Sequence, residues 1–201
     1  MHTVMNVTPS EAVSVIPLLP HVYDEPFANS SQIPTLLLSQ LARRHVTAVL
    51  CGDGGDEVFG GYFWYSTVAA RWRMYGWCPP LLRRTLSRAV LALAGDPDAP
   101  SLSPPGSFRS RLQLEGRLMA PRNRAQVYVE YLSNACRPTS VVPNSAEPQY
   151  ILAEAAKAPA VPRFYEHMMS LDLVSSIPDD TLTKIGSAGA AAGLETRIPL
   201  L

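Results

Sequence analysis

Apolar positions along the chain recur mostly at helical spacing, with one sharp exception. Pro9 to Ile16 carries Ala12, Val13, Val15 and Ile16 behind a start signal in Thr8, Pro9 and Glu11, which predicts a helix opened by a capping box and stopped by Pro17. A second helix is predicted from Pro34, with Leu36, Leu37, Leu38 and Leu41 apolar and Arg43, Arg44 and His45 in its last turn, where cations complement the helix dipole. The exception follows at once. Ala48-Val-Leu50 is a short apolar run that stops at glycines, and it reads as a buried parallel strand. Thr3 to Val7 is a second strand candidate.

Beyond residue 62 the pattern is helical. Helices are expected over Pro80–Leu93 (closed by Gly95), Ser107–Met119, Arg122–Ala135, Gln149–Lys157 and Pro162–Val174. The stretches 21–34, 96–105 and 137–147 hold prolines with polar or acidic residues and read as loops. Phe63, Trp64, Tyr65, Trp72, Tyr75 and Trp77 are expected to pack between helices. Val127, Tyr128, Tyr131 and Leu132 form an apolar stripe expected to face a core. No internal repeat appears.

Composition narrows the classes. With 201 residues, 47% hydrophobic, and a formal net charge of +0, the chain is long enough to bury a core and shows no bias toward nucleic acid. Arg71, Arg73, Arg83, Arg84 and Arg88 are expected on solvated helix faces. Three cysteines, Cys51, Cys78 and Cys136, with no C-x-x-C, argue against a disulfide framework or a zinc site. A reducing, cytoplasmic setting is the expectation. No stretch reads as a membrane span or a signal peptide, and the first residues look like the middle of a domain.

Candidate chemistry sits in the loop after the short strand, Cys51-Gly-Asp-Gly-Gly-Asp-Glu-Val-Phe-Gly-Gly-Tyr62. Ligands of open α/β sheets lie beyond the carboxyl ends of strands. The glycines let the backbone approach a ligand, and Asp53 and Asp56 supply hard oxygens suited to Mg²⁺. The segment closely resembles S-G-E/D-G-S/G-D-E-L/V-F-G-G-Y, the signature of the synthetase domain of glutamine-hydrolysing asparagine synthetases. Two further stretches carry the same resemblance. His21 to Pro34 is similar to Y/H-D-E-P-x-x-D-x-S-x-I-P through Asp24, Glu25, Pro26, Ser31, Ile33 and Pro34, with Asn29 where an aspartate is usual. Asp172 to Leu201 resembles the family's D-L-x-x-Y-L-P-D-D-I-L-x-K-x-D-R-A-S-M stretch and, through Gly193-Leu-Glu-Thr-Arg-Ile-Pro-Leu-Leu201, its close S-L-E-x-R-x-P-F/L-L-D. Within it the family's Asp-Arg-Ala-Ser-Met is replaced by Gly186-Ser-Ala-Gly-Ala190, and Gly186, Gly189 and Gly193 are each expected to weaken a helix by about 1 kcal/mol relative to alanine.

The resemblance implies an α/β fold, part of a PP-loop (adenine-nucleotide alpha-hydrolase-like) parallel sheet, with a largely helical C-terminal part. It divides the chain into a nucleotide-binding region, 1–65, and a helical remainder, 66–201. It implies an ATP-dependent amidotransferase: a carboxylate, aspartate in the family, forms an acyl-adenylate, and ammonia from glutamine converts this to the amide. ATP and Mg²⁺ are the implied cofactors. By motif position Cys51 and Gly52 lie against the nucleotide, Asp53 beside the adenylate, and Asp56 toward the metal. Asp24 and Ser31 shape the nucleotide and substrate site. Glu57 is expected to be structural. Cys51 stands where the family has serine, and no neighbouring cation activates its thiol.

The family's S-G-G-x-D-S loop and its glutaminase domain are not among these residues. The isolated chain is therefore expected to be inactive, with the glutaminase domain a partner in the full-length protein. Two rival readings remain: amidation of another carboxylate, such as one on a surface polysaccharide, and a non-catalytic remnant or interaction module, which the altered Gly186–Gly193 segment favours.

Overall fold

The computed structural model describes residues 6–95, 107–133, 142–146 and 161–201, together with His2, Val4, Leu152 and Glu154. Cys136, the helix expected over 149–157 and the loop expected over 96–105 lie wholly or largely outside the described residues, as do parts of the loop expected over 137–147. Thr3 and Met5, from the first strand candidate, are outside them too. Val4, Asn6 and Val7 belong to no strand.

The chain divides into two compact units, one of residues 1–59 with 172–201 and one of residues 60–171. The first unit opens with α1 (Pro9–Val15), whose capping box is complete: Thr8 accepts from the Glu11 amide, and the Glu11 side chain accepts from the Thr8 amide. Pro17 does not stop the helical path. It sits inside a 3-10 turn, Ile16–Leu18, that runs into the short α2 (Leu19–Val22). Proline fits the first turn of each new segment because those amides need no helical partner.

Next, α3 (Gln32–Arg43) begins two residues before Pro34, with Ser31 at its N-cap position but no side-chain cap bond. β1 (Ala48–Leu50) follows and pairs in parallel with β2 (Glu195–Arg197), in the register Ala48 to Glu195, Val49 to Thr196 and Leu50 to Arg197. Among the described residues this is a two-stranded sheet. Its strand is not buried as the apolar run predicts: Leu50 is 75% exposed, and among the described residues β1 has a strand partner along one edge. The short α4 (Gly55–Phe59) completes the first stretch of the unit.

The second unit is helical: α5 (Phe63–Tyr75), α6 (Pro80–Ala94), α7 (Phe108–Met119), α8 (Arg124–Leu132) and α9, which starts at Phe164 and ends at Val174 in the first unit. Tyr65, Val68, Leu118, Val127, Tyr128, Met168 and Leu171 form its core. Tyr65 sits edge-on to Tyr165, ring centroids 5.4 Å apart. Two expectations need correction here. Trp77 is 81% exposed and Phe63 is also exposed, so the aromatic cluster is core only through Tyr65, Trp64 and Trp72. Arg83 is not a solvated residue. It is 3% exposed, lies over the Trp72 ring at 5.1 Å, and donates to the Pro121 carbonyl at 2.7 Å. Its α6 neighbours Leu81, Leu82, Leu86 and Leu93 are exposed instead. Arg71 is likewise paired, to Glu115 at 2.8 Å.

The chain then returns to the first unit through a π-helical turn, Ile177–Leu182, and α10 (Thr183–Ala192). Val15, Leu36 and Ala188 form that unit's small core, with Leu19, Val22, Ile33 and Leu37 against it. No helix among the described residues is long and apolar enough to cross a membrane.

Candidate active site

The site is built where β1 ends. The Cys51 amide donates to the Arg197 carbonyl at 2.8 Å, extending the ladder by one bond before the chain leaves the sheet. The loop turns at Gly54, whose φ of +85° favours glycine. A Cβ there would lie 2.7 Å from the Leu201 side chain, and one on Gly55 would be 3.3 Å from Leu200. The Pro-Leu-Leu close of the sequence thus packs directly on the glycine loop. Gly52 is open, with nothing within 4 Å of the place a Cβ would take.

The acidic side chains separate into three environments. Asp53 is half-buried and ion-paired to the Lys184 ammonium at 3.6 Å. Asp56 is exposed and pairs with no described residue. Glu57 is buried in the first turn of α4. The described residues contain no group of three or more side chains able to hold a metal. Burial, and the Asp53 charge behind it, push the Cys51 thiol up from its ordinary pKa, which argues against a thiolate nucleophile.

A second strand of interactions comes from the loop before α3. Asn29 donates from Nδ2 to both carboxylate oxygens of Asp180, at 2.8 and 2.9 Å. Its Oδ1 accepts from the Ser31 amide at 2.9 Å and the Ser31 hydroxyl at 2.6 Å. An aspartate at position 29 could not donate to Asp180, so the carboxamide suits this sequence. Ser31 is therefore tied to Asn29, and it caps nothing. Tyr23 donates to the Lys184 carbonyl at 3.2 Å and stacks on Phe27 at 5.0 Å. Asp24 is exposed and lines a cleft of about 430 Å³ with Tyr23, Glu25, Pro26, Phe27 and Gln32.

Asp180 and Lys184 stand four residues apart in one helical run, where side chains at that spacing are neighbours. One reaches the loop of Asn29 and Ser31, the other reaches Asp53. The structure thus gathers Asp53 with Lys184, and Ser31 with Asn29 and Asp180, while no ion pair or hydrogen bond joins Asp24 or Asp56 to either group among the described residues. Sequence reasoning left Lys184, Asp180 and Asn29 without roles. The signal was the P-D-D-x-L-x-K run, whose acid and lysine share the i, i+4 spacing.

A family model described as "Asparagine synthase" matches residues 1–201. The chain belongs to the asparagine synthase family. It is 30% identical over 201 residues, all of this chain and 29% of the relative, to a protein named putative asparagine synthetase (glutamine-hydrolyzing) from Mycobacterium tuberculosis strain H37Rv. It is 63% identical over 41 residues, 20% of this chain and 8% of the relative, to putative asparagine synthetase (glutamine-hydrolyzing) 2 of Methanocaldococcus jannaschii. Against asparagine synthetase (glutamine-hydrolyzing) 1 of Bacillus subtilis it is 38% identical over 56 residues, 28% of this chain and 9% of that protein. No solved structure matches. This asparagine synthase family chain spans 29% of the length of the mycobacterial relative it matches end to end.

Proposed function

We propose that the chain is part of an ATP-dependent amidotransferase that activates a carboxylate by adenylation, with aspartate as the substrate. The carboxylate oxygen attacks the α-phosphorus of ATP, pyrophosphate leaves, and ammonia derived from glutamine displaces AMP from the acyl-adenylate to give the amide. The observation that carries this reading is the split environment of the two loop aspartates: Asp53 restrained by a cation, Asp56 exposed and without a partner among the described residues. A site handling an anionic nucleotide needs a positioned group beside the reacting centre and a separate carboxylate for the metal.

In this reading Asp53 stands beside the adenylate and Asp56 holds Mg²⁺. When bound, the metal neutralises triphosphate charge. Cys51 and Gly52 face the nucleotide. The Cys51 amide is engaged with Arg197, so its contribution there is the carbonyl and the thiol, while Gly52 offers open backbone. Asp24 and Ser31 border the substrate side. The parallel β1–β2 pair with a glycine loop at its carboxyl end is compatible with a piece of a PP-loop sheet. The glutaminase activity resides in the longer protein, in the cytoplasm. Against the rival reading of a non-catalytic remnant, which the altered Gly186–Gly193 segment favours, stand a formed α10 and the approach of Lys184 to Asp53.

Equilibrium binding of ATP with and without Mg²⁺ tests this. The chain is expected to bind ATP weakly and only with the metal, and Asp56→Ala is expected to remove the metal-dependent part. Metal-independent binding of equal strength in both proteins would overturn the assignment. With aspartate and ammonium added, the chain alone is expected to release no pyrophosphate, because only one of the family's two phosphate loops is in this sequence.

A further inference from the structure

Lys184 stands out among the polar groups of the first unit. Its side chain is only 15% exposed, yet the ammonium makes no hydrogen bond with any described residue. Its ion pair with Asp53, at 3.6 Å, is longer than the ~2.7–2.9 Å of a charge-assisted N–H···O bond. An ammonium has three donors and no acceptor, and desolvating it without partners is costly. The backbone beneath it is fixed, because Tyr23 donates to the Lys184 carbonyl. Within α10, Lys184 is the one ionisable residue, since Gly186 and Ser187 occupy the positions of the family's aspartate and arginine.

We propose that Lys184 is an oxyanion ligand of this site, donating to a phosphoryl or carboxylate oxygen of the bound reactant while Asp53 holds its charge in place. This rests on reading the glycine loop as an adenylating corner, and it assigns to that corner a cation that the loop itself lacks. The loose pair with Asp53 is the resting arrangement. A ligand oxygen arriving at hydrogen-bond distance fills donors that Asp53 leaves open, so the pair rotates and does not have to break a strong bond. Hydrogen bonds to charged groups carry enough energy that losing one lowers affinity by about tenfold or more.

The chain has two lysines, Lys157 and Lys184, so amine acylation followed by mass spectrometry reads Lys184 with Lys157 as internal reference. Inorganic pyrophosphate or L-aspartate, at millimolar concentration, is expected to slow acylation of Lys184 at least threefold relative to Lys157. Protection by pyrophosphate alone assigns a phosphoryl oxygen, and protection by aspartate alone assigns a carboxylate. Lys184→Met is expected to weaken binding of the protecting anion about tenfold, and Lys184→Arg to retain it, which a purely structural role for the side chain does not predict. Unchanged Lys184 labelling with both anions, or slowing matched at Lys157, overturns the assignment. Adenosine, which carries no oxyanion, is titrated in parallel. Adenosine binding without Lys184 protection sinks the oxyanion role and spares the nucleotide reading. Protection without adenosine binding does the reverse.

Discussion

His167 is the residue whose environment most directly ties charge to stability. It is buried, and neither ring nitrogen has a hydrogen-bond partner among the described residues. Burial, then the nearby Arg124 guanidinium, hold its pKa below the ordinary 6.5. The folded chain therefore favours neutral imidazole, and the unfolded chain takes up the proton first as pH falls. Stability from this group is present above about pH 6.5 and is lost as pH drops through the lower folded value. In urea unfolding at pH 7.5 and 5.0, the wild-type chain is expected to lose more stability than His167→Phe. Equal losses would show that the imidazole is not desolvated as described. Tyr75 shows the same logic with opposite sign: burial and its 2.7 Å bond to Glu115 raise its pKa. Neither environment is legible in sequence, because each depends on partners 40 residues or more away, as Glu115 is from Tyr75.

At the scale of elements, α10 overturns the expectation that three glycines weaken one helix. The helix ends in a Schellman stop: Gly193 has φ +66°, its amide donates to the Ala190 carbonyl at 3.0 Å, and the Leu194 amide donates to the Gly189 carbonyl at 2.9 Å. Gly193 thus lies outside the helix it terminates. Gly189 is required by close approach, since a Cβ there would come within 2.8 Å of Thr196 in β2. Gly186 alone has open space. Gly186→Ala is expected to stabilise the chain by up to about 1 kcal/mol. Gly193→Ala is expected to destabilise it by about 1–2 kcal/mol through the left-handed backbone. Urea denaturation midpoints read both, and a stabilising Gly193→Ala would contradict the stop. Local signals were legible: the Thr8 capping box, β1, the Ser107 start of α7 and the Gly95 end of α6 follow from neighbouring residues. What sequence could not show is that β2 returns 145 residues later to pair with β1, since Glu195 to Arg197 carries no apolar run.

For the molecule as a whole, the candidate site draws on the two ends of the chain. Residues 1–59 supply the glycine loop and the Asn29 loop, and residues 172–201 supply Asp180, Lys184 and the leucines over Gly54. The motifs were legible as motifs because each is short and dense in glycine, proline or acid. Their convergence was not, because 112 intervening residues form a unit of their own. The central claim is that the Cys51–Glu57 loop is a nucleotide corner. Its most direct test is a titration of the chain with AMP and Mg²⁺ followed by backbone amide NMR. Saturable shifts are expected, concentrated at Cys51 to Asp56 and at Lys184. Saturable shifts confined to other residues, or none at the highest AMP concentration reached, would contradict it.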